Sequence, residues 1–219
     1  ADRTASAGLL APTRGLLGFG TAFLDADNDG WLDLATTNGH VNDLRPIFPY
    51  AMPAQLLRGG PDGRFIDATA QAGDAWSTPR VGRGLAAADL DNDGRVDVVI
   101  LPQNEPVALL RNRSEHIGHF LTVRLEGTKS NRDSIGAEVT IEIGGAKHVA
   151  QRFGGGSYGS SSDPRLHFGL GDASKVDRLV VRWPSGKLDV FADLAVDRGY
   201  LIHEGEPAAQ PLLGYREPH

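Results

Sequence analysis

The sequence predicts an all-β protein in which two blade-like repeat units are followed by a small antiparallel β-sandwich or barrel. Its 219 residues include 28 Gly and 13 Pro, a content that suits many tight turns between short strands. A stretch of the first half recurs 64 residues later. The second half shows no such repeat, but its apolar and polar residues alternate largely at period two, which is typical of half-buried strands.

The repeat sets the limits of the two units. Gly18–Asp33 aligns without gaps on Gly82–Asp97, and Gln55–Arg58 aligns on Ala108–Arg111. The second offset is shorter by 11 residues, so the first unit carries an insertion within Gly39–Ala54, which we expect to form a loop. Each unit predicts four short strands, the scale of a β-propeller blade. Two blades cannot close a ring by themselves.

The second half predicts a separate β domain. Its strand-like stretches are Phe120–Leu125, Ala137–Ile143 and Arg178–Trp183, with turn signals at Gly144–Gly145 and Pro184–Gly186 between them. We therefore predict repeat units over residues 1–115, a β domain over 116–206 and an extended tail over 207–219.

Composition excludes several kinds of chemistry. The chain has no cysteine, so disulfides, thiolate catalysis and cysteine-bound zinc are impossible. The net charge of −6 argues against nucleic acid as a partner, and no stretch approaches the roughly 18 apolar residues of a membrane span. Because the chain starts at Ala1 without an initiator methionine, we expect a processed product or a fragment of a longer protein.

Two aspartate loops predict two Ca²⁺ sites. Each loop reads D-x-D-x-D-G-x-x-D, and carboxylates on alternate residues of a tight loop converge on one point, which suits a hard cation that takes six to eight oxygens. The predicted ligands are the side chains of Asp25, Asp27, Asp29 and Asp33 with the Trp31 carbonyl, and those of Asp89, Asp91, Asp93 and Asp97 with the Arg95 carbonyl.

The loops allow two other interpretations. An EF-hand requires a bidentate Glu at its twelfth position, where this chain has Thr36 or Ile100. An Asx-rich β-turn with solvated carboxylates is the simpler alternative, but four like charges packed closely without a counter-ion would repel one another. The pattern also occurs twice in register, which favours calcium.

The same residues carry a family resemblance. Gly18-Phe19-Gly20 followed by a strand and an aspartate loop resembles the FG-GAP (VCBS) repeats of integrin-α-type β-propellers. The second half resembles the ASPIC and UnbV domain at Leu125–Asp133, Ile135–Ala137, Asp163–Gly171 and Val181–Gly186. The resemblance implies an extracellular or periplasmic protein, calcium in the blade loops and a ring of about seven blades. It implies no agreed reaction.

Two further motifs are candidates for function. Asn38, His40, Arg80, Arg83 and Asn104 could meet beside the first loop as a polar cluster that binds a carbohydrate or an acidic ligand, or Asn38 and His40 could only satisfy backbone groups. Gly155–Gly159 fits the hydrolase pattern G-x-S-x-G around Ser157, but that motif needs a following helix, and a loop follows here.

These observations favour a secreted calcium-binding module for binding or assembly, without a predicted catalytic residue. The alternatives are part of an extracellular enzyme acting on carbohydrate, or a subunit of a larger extracellular complex. The expected partners are a protein or carbohydrate ligand and the remaining propeller blades, supplied by the same parent chain or by another chain.

Overall fold

The computed structural model of the protein describes residues 2–115 and 117–215, so the predicted boundary residue His116 and tail residues 216–219 lie outside the described part. The fold is nearly all-β, as predicted, and consists mainly of antiparallel sheets. The two short helices are α1 (Leu10–Thr13) and α2 (Asp74–Ser77). No helix in the described part is long and apolar enough to span a membrane.

The first repeat unit forms a four-stranded antiparallel sheet, as its sequence predicts. Its strands pair in chain order. They are β1 (Gly18–Leu24), β2 (Asp33–Asn38), β3 (Gln55–Gly59) and β4 (Phe65–Asp67). The predicted insertion over 39–54 lies between β2 and β3 and is fixed by isolated bridges from Gly39 to Ala51 and from Met52 to Arg80.

The second repeat unit has three strands in the described chain where the sequence predicts four. They are β5 (Gly82–Ala88), β6 (Asp97–Pro102) and β7 (Ala108–Leu110). Just after β7, the Asn112 amide N–H donates to Asp97 and the Asn112 carboxamide donates to the Ala26 carbonyl, at 2.8 and 2.7 Å. These bonds hold the chain at the loop end of the sheets, from which it continues into the second domain.

The two repeat sheets pack face to face around one apolar core. Gly20 lets β1 approach β5 closely, since a Cβ at this position would lie 2.5 Å from the Leu85 nitrogen. The core combines large and small apolar side chains that fill the space between the sheets. The buried members of this core are Leu24, Ala35, Ala54, Trp76, Leu85, Ala87, Val96, Val98, Ile100 and Leu110.

The second domain is the predicted sandwich, and it does not close into a barrel. One sheet has the order β10-β9-β14-β15 and the other β13-β8-β16-β17, with a two-stranded hairpin of β11 and β12. The strands are β8 (His119–Glu126), β9 (Glu138–Ile143), β10 (Ala146–Gln151), β11 (Gly156–Ser157), β12 (Ser160–Ser161), β13 (Leu166–Gly171), β14 (Lys175–Arg182), β15 (Leu188–Ala195), β16 (Arg198–His203) and β17 (Gln210–Pro211).

Two features of this domain differ from the sequence-based expectation. Strands β8 and β16 pair in parallel, because the β14–β15 hairpin in the opposite sheet intervenes before the chain returns to β8. The region expected to be only an extended tail contributes β17, which pairs with β16. The core between the sheets contains Leu121, Ile141, Leu179, Trp183 and Ile202, each nearly inaccessible to solvent.

Candidate metal centres and the contacts that hold them

Each aspartate loop brings three carboxylates together. In both loops the first, third and fifth residues offer oxygens that all lie within 4.8 Å of one another. The two triads are Asp25, Asp27 and Asp29 in the first loop, and Asp89, Asp91 and Asp93 in the second. A compact group of carboxylate oxygens is the donor set that a hard divalent cation prefers, so the residues present fit Ca²⁺.

The first aspartate of each loop is buried and organises the loop backbone. Asp25 accepts hydrogen bonds from the amides of Asp29 and Gly30 at 3.1 and 2.9 Å. Asp89 accepts the equivalent bonds from Asp93 and Gly94. Each carboxylate oxygen has a further lone pair that these bonds leave available to an ion.

The loops hold their negative charge at an energetic cost. Burial raises the pKa of Asp25 to about 7, against the opposing hydrogen bond from Gly30, and repulsion from Asp29 and Asp27 adds to the rise. Burial likewise raises the pKa of Asp89 to about 6. A bound cation would offset both the desolvation and the repulsion.

Arginines supply part of the counter-charge. Arg58 lies 2.7 Å from Asp27 and 3.2 Å from Asp29, and Arg111 pairs with Asp91. Arg58 and Arg111 occupy equivalent positions of the two repeats. Any ion in a triad would therefore share its carboxylates with a guanidinium group or displace it.

The fourth predicted carboxylate of each loop lies outside its triad and has a structural contact. Asp33 accepts hydrogen bonds from the amides of Ala26 and Gly59 at 3.0 and 2.9 Å. Asp97 does the same for Leu90 and Asn112. Each thereby joins the start of its loop to the chain after the third strand. Metal ligation by Asp33, Asp97 and the carbonyls of Trp31 and Arg95 stays a prediction.

Comparison with known proteins agrees with this arrangement of repeats and sandwich. A family model for the FG-GAP-like repeat matches residues 25–100, and a model for ASPIC and UnbV matches residues 127–209. The chain joins FG-GAP-like repeats to an ASPIC and UnbV domain. The sequence resemblance to these two families is thus confirmed.

Similar curated proteins carry these two domains in a longer chain. Cartilage acidic protein 1 of Xenopus tropicalis is 31% identical over 121 residues, which cover 53% of this chain and 18% of that protein. The Mus musculus and Homo sapiens proteins of the same name are 31% identical over 123 residues, with the same coverage. The match therefore spans less than a fifth of the length of these relatives.

The ASPIC and UnbV domain holds both aspartate loops through alternate residues. Arg165 donates to the Asp89 carbonyl at 2.7 Å and to the carboxamide oxygen of Asn92. His167 Nε2 lies 2.8 Å from the carboxamide oxygen of Asn28. Asn28 and Asn92 are equivalent in the two repeats, and both have φ of 56°. Arg165 immediately precedes β13 and His167 lies within it, so one short segment of the domain reaches both loops.

Glycines allow this close approach. A Cβ on Gly169 of β13 would lie 2.0 Å from Asp25 Oδ2, and a Cβ on Gly94 of the second loop would lie 2.1 Å from the Phe120 ring. The glycines of the two family motifs are therefore required where the domain packs onto the loops. This interface was not predicted from the sequence.

The predicted polar cluster beside the first loop is used mainly for local backbone contacts. Asn38 donates to the Pro53 carbonyl at 2.9 Å, and Arg80 donates to the carbonyls of Ala75 and Thr78. Arg83 donates to the His40 carbonyl at 2.9 Å and lies over the Phe19 ring at 4.2 Å.

Of the remaining two members of that cluster, His40 is half-buried and Asn104 is exposed. The His40 ring stacks on Phe48 with centroids 5.9 Å apart, and Asn104 is exposed in the turn after β6 with φ of 58°. These contacts hold the 39–54 insertion in place. A ligand at the cluster stays a prediction.

The Gly-rich loop with the hydrolase-like pattern covers the edges of both repeat sheets. The Ser157 hydroxyl accepts from the Thr21 amide at 2.6 Å. Ser160 accepts from the Leu85 amide and donates to the Leu85 carbonyl, and Ser162 accepts from the Ala87 amide. Strands β1 and β5 are edge strands whose unpaired backbone groups need partners. The serines supply those partners.

A buried glutamate explains the Leu125–Asp133 motif, and sequence reasoning missed it. Glu204 accepts the amides of Thr128, Lys129 and Ser130 at 2.7–2.9 Å and the hydroxyls of Ser130 and Ser185. Burial alone would raise the pKa of Glu204, but these hydrogen bonds outweigh it and lower the pKa to about 2. The carboxylate therefore fixes the 128–130 turn of the motif.

Proposed function

We propose that this chain is a calcium-stabilised binding or assembly module that acts outside the cell. The observation that carries the proposal is the pair of carboxylate triads at equivalent positions of two repeats. Ca²⁺ suits them better than Mg²⁺, because Mg²⁺ retains its water ligands and disfavours dense protein cages. The similarity to cartilage acidic protein 1 supports the extracellular location.

The ions would be structural. Each triad lies in the loop that joins the first two strands of a repeat sheet, and the same loops receive Arg165 and His167 from the ASPIC and UnbV domain. An ion in a loop would neutralise buried carboxylates and fix the backbone that this domain contacts. It would thereby stabilise both the sheet and its interface, without any part in a reaction.

Thermal unfolding in Ca²⁺ and in EDTA tests this role. A ligand at about 100 times its Kd adds about 2.7 kcal/mol to the free energy of unfolding. For a chain of this length each kcal/mol shifts Tm by about 2–4 °C, so EDTA should lower Tm by about 5–10 °C for each of the two sites. Mg²⁺ at the same concentration is the control. An unchanged Tm in EDTA would contradict the proposed calcium sites.

We infer that the assembly role uses the outward face of the second repeat sheet. Ala22, Ala35 and Leu56 of the first sheet pack against the core between the sheets. Their equivalents in the second repeat are Ala86, Val99 and Leu109, which lie on the face turned away from the first sheet. Leu109 is 51% exposed, and the neighbouring Leu101 is also exposed. This face of the second sheet therefore corresponds to the face of the first sheet that packs against the second repeat.

The proposed occupant of that face is a further FG-GAP-like blade, from the parent chain or from another chain. Sedimentation velocity over a range of concentrations tests assembly between chains. Self-association of the wild type would support assembly between chains if Leu109→Glu removes it. The control variant Val190→Glu, on the sandwich, should leave the self-association intact. A compact monomer at every concentration would contradict assembly between copies of this chain.

A further inference from the structure

A cleft of about 400 Å³ separates the first repeat from the ASPIC and UnbV domain. One wall comes from the first aspartate loop and the β3–β4 turn, and the other from β10 and β13. Five of its lining residues are glycines, so backbone forms part of both walls. These glycines are Gly30, Gly59, Gly60, Gly63 and Gly169. The volume suits a ligand of one or two sugar rings.

The repeat side of the cleft presents aromatic surface. Trp31 lines it and is 43% exposed, with Phe65 beside it. Val149 faces them from the sandwich and is 59% exposed. The other two tryptophans, Trp76 and Trp183, are buried. An exposed indole in a concave site is a surface on which the apolar face of a ring can stack.

Two cationic or polar side chains in the same cleft lack partners within the described chain. The Arg64 guanidinium forms no ion pair, and the His148 imidazole forms no hydrogen bond, among residues 2–115 and 117–215. The one carboxylate in the lining is Asp25, whose two oxygens already accept the amides of Asp29 and Gly30. The cleft therefore offers donors and a positive charge to a ligand, beside an aromatic platform.

We propose that this cleft binds a saccharide that carries a carboxylate. One face of a sugar ring stacks on Trp31, its carboxylate pairs with Arg64, and a hydroxyl accepts or donates a hydrogen bond at His148. The combination distinguishes such a ligand from an apolar peptide, which would leave Arg64 unpaired, and from a free anion, which would not use Trp31. The inference deepens the proposed binding role and does not depend on bound calcium.

Titration with cellobiuronate and with its neutral counterpart cellobiose tests the site. Trp31 is the tryptophan at the cleft, so cellobiuronate should change the emission of the wild-type chain and leave that of Trp31→Phe unchanged. In calorimetry, Arg64→Gln should weaken cellobiuronate binding about tenfold and leave cellobiose binding nearly unchanged. Trp31→Ala should abolish both.

Matched variants elsewhere on the surface serve as controls. Phe153→Ala removes an exposed ring and Arg113→Gln removes an exposed guanidinium outside the cleft, and both should bind cellobiuronate as the wild type does. Arg64 is exposed, so Arg64→Gln should leave folding intact. A melting curve tests whether Trp31→Ala is folded as the wild type is.

Three results would overturn the inference. The first is the absence of any heat or emission change with either sugar up to about 20 mM. The second is equal binding by the wild type, Trp31→Ala and Arg64→Gln, and the third is binding of an apolar strand peptide but of neither sugar. The calcium role is judged separately: sugar binding that persists when EDTA leaves Tm unchanged removes only the calcium proposal. A shift in Tm in EDTA without any sugar binding removes only the saccharide proposal.

Discussion

The Nε2 atom of His167 lies 2.8 Å from the carboxamide oxygen of Asn28, across 139 residues of sequence. Burial lowers the pKa of His167 to about 4, so its ring is neutral at pH 7. Because the Asn28 oxygen can only accept, Nε2 carries the proton and Nδ1 accepts from the Thr122 hydroxyl at 3.3 Å. The Asn28 amide group donates to the Gly94 carbonyl at 2.9 Å. This chain of hydrogen bonds joins the sandwich to both loops.

Replacing His167 should therefore destabilise the whole chain. His167→Ala leaves the buried Asn28 oxygen without its donor, at a cost of about 1–3 kcal/mol in the free energy of unfolding. Urea unfolding of the wild type and the variant measures the difference. His203→Ala is the matched control, since the His203 ring is only near Glu126 at 3.7 Å. Equal losses in the two variants would contradict a special role for the Asn28 contact.

The Glu204 carboxylate predicts a specific pH dependence. Its pKa is lowered from 4.5 to about 2 in the folded chain, so the unfolded chain binds more protons between these values. The stabilisation is therefore complete above about pH 4.5 and is lost as the pH falls toward 2. At pH 7, Glu204→Gln should reduce the free energy of unfolding by about 2–3 kcal/mol.

Urea unfolding of wild type and Glu204→Gln between pH 7 and pH 2.5 measures this effect. The difference between the two proteins should shrink as the pH falls below 4.5. Glu206→Gln, which removes an exposed carboxylate two residues away, should show almost no difference at any pH. A difference for Glu204→Gln that does not change with pH would contradict the lowered pKa.

Local parts of this architecture could be predicted from the sequence, and contacts between distant parts could not. The triads follow from the spacing of Asp25, Asp27 and Asp29 in one turn, and the first sheet follows from the repeat. Spacing does not show which way a carboxylate turns, so the hydrogen bonds of Asp33 to Ala26 and Gly59 were not foreseen. They depend on where the third strand ends.

The contacts of the ASPIC and UnbV domain depend on tertiary packing. Nothing in the local pattern pairs Asn28 with His167 or Glu204 with the 128–130 turn, because each pair is brought together by the sandwich. The Asn that recurs at the same place in both loops was the sequence signal available for these contacts. Both Asn28 and Asn92 follow the second aspartate of their loops at a left-handed backbone position, which Asn tolerates better than most residues.

Equivalent substitutions in the two loops should remove the calcium sites one at a time. Asp27→Asn and Asp91→Asn each replace one ligand by an amide of the same shape, and each should reduce the calorimetric stoichiometry from two ions to one, or weaken one site at least tenfold. Neither should destabilise the calcium-free chain much, because repulsion within a triad decreases.

The control for the calcium sites is Glu105→Gln, which removes an exposed carboxylate in the turn after β6 and should keep both ions. Tight binding of two ions to the double variant with Asp27→Asn and Asp91→Asn would contradict the predicted ligands. Loss of both ions in a single variant would instead indicate that the two loops bind cooperatively through the shared interface.

The serines of the Gly-rich loop should affect stability and not hydrolysis. Ser160→Ala removes two hydrogen bonds with the backbone of Leu85 and should cost about 1–2 kcal/mol, whereas Ser161→Ala, at an exposed position, should cost little.

Because the Ser157 hydroxyl accepts from the Thr21 amide and a second strand, not a helix, follows it, Ser157→Ala should not change the background rate with p-nitrophenyl esters. Ester hydrolysis by the wild type that Ser157→Ala removes would show that the G-x-S-x-G pattern is catalytic.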